Sequence, residues 1–115
     1  MNEKTDHDIK SFAPRIVAAA ASADMETVKT LVASGTDINS TDSEGRTALI
    51  AAAAESYFAE NPPQFARYAS IIKFLIESGA DTEIRDKNGH TAADHAYLSN
   101  EIENIIAKNA GGAKL

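Results

Sequence analysis

Apolar residues recur along this chain in short helical phases, each closed by polar, glycine-containing punctuation. Val28, Leu31 and Val32 fall three and four positions apart, as do Ile72, Leu75 and Ile76. That spacing lays an apolar stripe along one face of a helix. Denser alanine-rich runs stand at 16–21 and 48–54. Gly35 and Gly79 follow the two helical phases, where a C-cap favours a residue in the left-handed conformation. Polar stretches then end in Asp42-Ser43-Glu44-Gly45 and Asp86-Lys87-Asn88-Gly89, with Asp opening and Gly closing a tight turn. Thr47 and Thr91 come next, each with a hydroxyl able to cap a new helix. Asp94, three residues after Thr91, predicts a capping box with Asp in place of Glu. The local unit is therefore helix, glycine stop, projecting turn, threonine start, helix.

That unit occurs twice in register. SGTDINSTDSEGRTALI from Ser34 aligns with SGADTEIRDKNGHTAAD from Ser78, pairing Gly35 with Gly79, Asp42 with Asp86, Gly45 with Gly89 and Thr47 with Thr91 at a constant offset of 44. The preceding VKTLVAS and IKFLIES keep the same offset. Internal repetition on this scale is the signature of a stacked-repeat protein. Asp42-x-x-Gly45-x-Thr47-Ala48-Leu49-Ile50-x-Ala52-Ala53 and Leu75-Ile76-x-x-Gly79-Ala80-Asp81 resemble the D-x-x-G-x-T-P-L-H-x-A-A and L-L-x-x-G-A-D patterns of ankyrin repeats. The resemblance implies an all-α ankyrin-repeat solenoid with three repeats, at about 11–41, 42–85 and 86–110. Residues 1–10 and 111–115 are then tails. Where the family has Pro and His, this chain has Ala48, Ile50, Ala92 and Asp94. Ile50 is expected to pack, and Asp94 to accept bonds at the helix start.

The offset of 44 exceeds the family's usual length of about 33 by 11 residues. The excess must lie within 54–70, because both flanks align without gaps. Asn61-Pro62-Pro63 breaks the stretch, with Pro63 suited to the first turn of a following helix. The expected structure is a longer hairpin, with helices at about 48–60 and 63–78 each running on by about one and a half turns. Tyr57, Phe58, Phe65 and Tyr68 all fall in this insertion. They either pack on one another as a small core or stay exposed as anchors for a partner.

Composition narrows the function. The 115 residues include 22 alanines, no Cys and no Trp, and the formal net charge is −6. Alanine suits closely packed helices and disfavours sheet. The charge disfavours nucleic acid, whose phosphates need a basic surface, and anionic membranes. With no Cys there is no disulfide or thiolate site. His90 and His95 stand five apart, which is not the spacing of a helical metal pair, so no metal, cofactor or catalytic site is expected. No apolar stretch reaches the ~20 residues of a membrane span, and the N-terminus does not read as a signal peptide. A cytoplasmic monomer is expected. The terminal Ala113-Lys114-Leu115 is only a near-match to a peroxisomal address.

The resemblance implies a protein-binding module that uses turn tips and first-helix faces. On this chain those positions are Asn39, Thr41, Ser43, Glu44, Arg46, Glu55, Arg85, Lys87, Asn88 and His90, to which the insertion adds Tyr57, Phe58, Phe65 and Tyr68. A second reading is a stoichiometric, immunity-type inhibitor capping a basic toxic enzyme, steered by its own negative charge.

Overall fold

The computed structural model describes residues 14–96, 102 and 104–106. The expected tails, residues 11–13, His7 and the Ala-Lys-Leu terminus lie outside them, as does most of the last repeat beyond Ala96. Five helices follow in order: α1 (Arg15–Ala21), α2 (Met25–Ala33), α3 (Ala48–Ser56), α4 (Pro62–Glu77) and α5 (Ala92–His95), with 102 and 104–106 also helical. No strand occurs among the described residues. The projecting segments between repeats are turns.

The helices form two layers. The first helices stack α1 on α3 on α5, and the second helices place α2 beside α4. Within each repeat the partners are α1 with α2 and α3 with α4. Helix α3 is the shared centre, and every residue from 48 to 53 is at most 1% exposed. A helix buried on all sides needs apolar residues all round. Small Ala side chains also let its neighbours approach closely, so the alanine-rich run belongs here. Ile71, Ile72 and Leu75 of α4 are 0% exposed and fill the space between layers.

Helix boundaries follow the sequence signals. Thr47 accepts from the Ile50 N–H at 3.2 Å and Thr91 from the Asp94 N–H at 3.2 Å. Asp94 returns the bond, its Oδ2 accepting from the Thr91 N–H at 3.0 Å, which completes the expected capping box. Ile50 is buried at 1% exposure where the family has His. At the other ends, the Thr36 N–H reaches the Leu31 carbonyl at 3.0 Å, and the Ala80 N–H reaches the Leu75 carbonyl at 2.9 Å. Gly35 and Gly79 turn the chain at φ +91° and +102°. These are paired Schellman-type stops.

The insertion is distributed unequally. Helix α3 has 9 residues against 7 in α1, and α4 has 16 against 9 in α2. The first helix of the long hairpin therefore stops at Ser56 and does not reach 60. Bonds from Tyr57, Phe58 and Ala59 N–H to the carbonyls three residues back tighten the chain and end it. Asn61 then caps α4, accepting from the Gln64 N–H at 2.9 Å. Pro62 and Pro63 occupy its first positions, where a missing N–H costs nothing. Most of the extra chain becomes an N-terminal overhang of α4.

Tyr68 anchors that overhang. Its side chain is buried, and its hydroxyl donates to the Ala21 carbonyl at 2.7 Å, tying α4 to the end of α1. Burial pushes the phenol's pKa up, with the Glu55 carboxylate adding to the shift. Phe65 packs half-buried against the core. Tyr57 and Phe58 differ: they are 58% and 68% exposed and meet edge-to-face at 5.0 Å. The four aromatics thus divide into two that pack and two that face solvent.

Candidate functional site

The two projecting turns share one backbone design. In residues 42–46, Oδ1 of Asp42 accepts from the Glu44 and Arg46 N–H groups, both at 2.9 Å. In residues 86–90, Oδ1 of Asp86 accepts from Asn88 at 2.9 Å and His90 at 3.0 Å. Each Asp also closes the turn through its own backbone, paired with Arg46 or His90. A short side-chain acceptor that satisfies two successive turn donors explains why Asp opens both copies.

The second carboxylate oxygen is used differently. Oδ2 of Asp42 receives the Arg46 guanidinium at 3.0 Å, so this turn is closed by its own residue. Oδ2 of Asp86 instead receives Nε2 of His95 from α5 at 2.8 Å. A carboxylate can only accept, so the ring proton sits on Nε2. Burial works against the charge on Asp86. The His90 N–H, the His95 ring and the Asn88 N–H outweigh it and hold the carboxyl below its usual pKa. Asp94 is also held below its usual value, chiefly by the Thr91 N–H, with Arg85 and His90 adding positive charge nearby.

His90 is therefore not used as Arg46 is. It is exposed and stacks edge-to-face on His95, with centroids 5.4 Å apart. The two imidazoles, Asp94, Ala54 and the exposed Tyr57 and Phe58 line one open concavity of about 440 Å³. Shortness of α3 makes this possible. Its end at Ser56 turns Tyr57 and Phe58 back toward repeat three.

The other expected binding residues are scattered in role. Thr41, Ser43, Glu44, Lys87 and Asn88 are exposed at the turns, and Glu55 is half-buried. Arg85 is exposed, donates to the Gly89 carbonyl at 2.7 Å and lies 3.8 Å from Asp94. Asn39 and Arg46 serve the framework. Asn39 Oδ1 accepts from the Asp81 N–H at 2.9 Å, bracing one repeat on the next, and Arg46 closes its own turn. Tyr68 is a correction: buried and bonded to Ala21, it offers no contact surface. Phe65, half-buried, also faces the core. Asp86, Asp94 and His95 were not among the expected binding residues. Asp86 reads as turn grammar and His95 as a half-buried helix position, and only the tertiary fold joins them across nine residues of sequence.

Comparison with known proteins agrees with this architecture. A family model described as ankyrin repeats (3 copies) matches residues 16–111. A putative ankyrin repeat protein, L271 of Acanthamoeba polyphaga mimivirus, is 37% identical over 95 residues, which is 80% of this chain and 12% of that protein. An ankyrin repeat domain (ABAYE2397) from Acinetobacter baumannii AYE superposes with a TM-score of 0.72 at 30% identity, covering 83% of this chain and 46% of that one. The ankyrin repeat protein EF0377 gives 0.70 at 35% identity, covering 81% and 45%. This chain thus spans less than half of each of these relatives. Ankyrin repeats are in general protein–protein interaction modules, typically without catalytic activity. No helix among the described residues is long and apolar enough to cross a membrane. With repeats, caps, stops and layers all in place, the chain belongs to the ankyrin-repeat family.

Proposed function

We propose that this chain is a non-catalytic binding module, a cytoplasmic monomer that holds another protein on the face where the long hairpin of repeat two meets repeat three. One observation carries the reading. Tyr57 and Phe58 are large, exposed and adjacent, and they border a concavity that also contains His90 and His95. Exposed large aromatics beside polar groups are typical of binding anchors, because burying them on association is favourable and costs little side-chain entropy. The exposed turn residues Thr41, Ser43, Glu44, Lys87 and Asn88, with Arg85, supply a polar rim. The net charge of −6 favours a partner with a basic surface.

Site-specific photocrosslinking tests the assignment. A photoreactive phenylalanine is placed at Tyr57 or, on exposed α4 surface, at Lys73. The reading predicts a discrete crosslinked species from position 57 and little from position 73. Equal capture at both positions, or capture at 73 alone, contradicts it.

A further inference from the structure

The side chains of Asp86, His90 and His95 each bring one ligand-capable atom into a group whose members lie within 4.8 Å of one another. We propose that these three residues form a binding site for a divalent transition metal of the zinc class. Two imidazoles and a carboxylate are a donor set suited to such ions. Zinc bonds of about 2.0–2.2 Å to nitrogen and oxygen hold tetrahedral donors roughly 3.3 Å apart. The Oδ2 of Asp86 and Nε2 of His95, now 2.8 Å apart, open by about half an ångström to admit the ion. His90, exposed on the turn, swings in to close the third bond. Their present hydrogen bond gives way to two coordinate bonds, and the proton on Nε2 passes to Nδ1.

Three features separate this group from chance surface neighbours. First, Asp86 is pre-set. Its side chain is 4% exposed, and its Oδ1 is fixed by two backbone N–H groups, as ligand carboxylates are commonly held by an outer layer of hydrogen bonds. Second, both imidazoles stand at positions where repeat two has something else: the offset of 44 aligns His90 with Arg46 and His95 with Ala51. The arginine supplies a fixed cation to the equivalent Asp and has no capacity to ligate, so of these two turns it is the one in repeat three that has the means to take up a free one. Third, three ligands leave a fourth position open, beside the concavity that Tyr57, Phe58 and Asp94 line. A water, or a donor from a bound molecule, completes the shell there.

The five-residue spacing of His90 and His95 gives no sign of a metal pair, because the third donor, Asp86, is delivered by the turn from outside the helix. The inference rests on this donor geometry and not on the partner-binding reading.

Calorimetric titration of the full chain with Zn²⁺, and absorption titration with Co²⁺, test it. The wild type is expected to bind one equivalent of either ion, with the visible bands of four-coordinate Co²⁺. His90→Ala and His95→Gln are each expected to weaken binding at least about tenfold, matching or exceeding the loss seen on removing outer-layer support. The Gln variant keeps a side chain that can donate to Asp86, so its loss of binding reports ligation more than folding. His7→Ala is the control and is expected to leave binding unchanged. Absence of saturable binding by the wild type overturns the proposal. So does binding as tight as the wild type's by both substituted chains, or binding lost with His7→Ala and kept with His90→Ala.

Discussion

The turns at 42–46 and 86–90 have the same backbone bonds and the same leading Asp, yet they serve different ends. In the first, Arg46 neutralises Asp42 and the turn is complete in itself. It is also pressed into the stack: a Cβ on Gly45 would meet the Lys87 nitrogen at 3.0 Å, and the Lys87 N–H donates to the Glu44 carbonyl at 2.9 Å. In the second, Asp86 reaches out of the turn to His95, His90 is left exposed, and a Cβ on Gly89 would meet nothing within 4 Å. One carboxylate oxygen builds the turn in both copies. The other is where the copies diverge, toward structure in repeat two and toward an open polar face in repeat three. A repeat array can vary that second contact without disturbing the first, which is how a uniform framework comes to carry a local site.

Both turns depend on one core, so the largest expected effect does not distinguish them. Leu75 is 0% exposed, and Leu75→Ala should cost roughly 2–5 kcal/mol, as for other buried Leu truncations. Urea unfolding measures it. A loss below about 1 kcal/mol would remove Leu75 from the core.

Next come the two Asp residues. Asp42→Ala and Asp86→Ala each remove two side-chain bonds to backbone N–H groups and, at about 0.5–1.5 kcal/mol per bond, should each cost about 1–3 kcal/mol. Asp86 also makes stability depend on pH. The Asp86 carboxyl is held below its usual pKa, so the unfolded chain takes up that proton first as pH falls. Its contribution is complete above the unfolded value of about 3.9 and is lost as pH drops through the folded value. Unfolding free energy measured from pH 6 to pH 2 should therefore fall less steeply in Asp86→Asn than in the wild type.

The glycines give a smaller and more selective contrast. Gly89→Ala places an L-residue at φ +83° and should cost roughly 1–2 kcal/mol from conformation alone. Gly45→Ala has the same penalty at φ +77° and adds contact with the backbone of residues 86 and 87, so it should cost more. Equal losses in thermal unfolding would mean the repeats do not press together there. The smallest effect is Arg46→Ala. Its half-exposed pair with Asp42 should contribute at most about 1 kcal/mol, read as a small fall in unfolding midpoint.

Much of this was legible in the residues. The Thr47 and Thr91 caps, the Asp94 box, the glycine stops and the offset of 44 each rest on local chemistry that tertiary packing did not override. Placement of the extra chain was only half legible. Asn61-Pro62-Pro63 marked where α4 begins, but no residue before it announces that α3 stops at Ser56, because a helix end made of tightened backbone bonds has no side-chain signature. The fates of the four aromatics depended on that stop. Tyr68 sits where the overhang passes the end of α1, whereas Tyr57 and Phe58 fall just past α3 and turn outward. The Asp86–His95 pair was hidden for a different reason: each residue had a sufficient local explanation, and their meeting is a property of how turn and helix fold back together.

The claim that function resides on the face joining repeat two's hairpin to repeat three is tested most directly by one affinity measurement. The partner captured through position 57 is titrated against the wild type and against Tyr57→Ala/Phe58→Ala. These side chains are exposed, so the double variant should unfold at nearly the wild-type temperature. Binding weakened by about 30-fold or more, as expected when one hot-spot contribution of at least ~2 kcal/mol is lost, would support the account. Unchanged affinity in a folded double variant would contradict it.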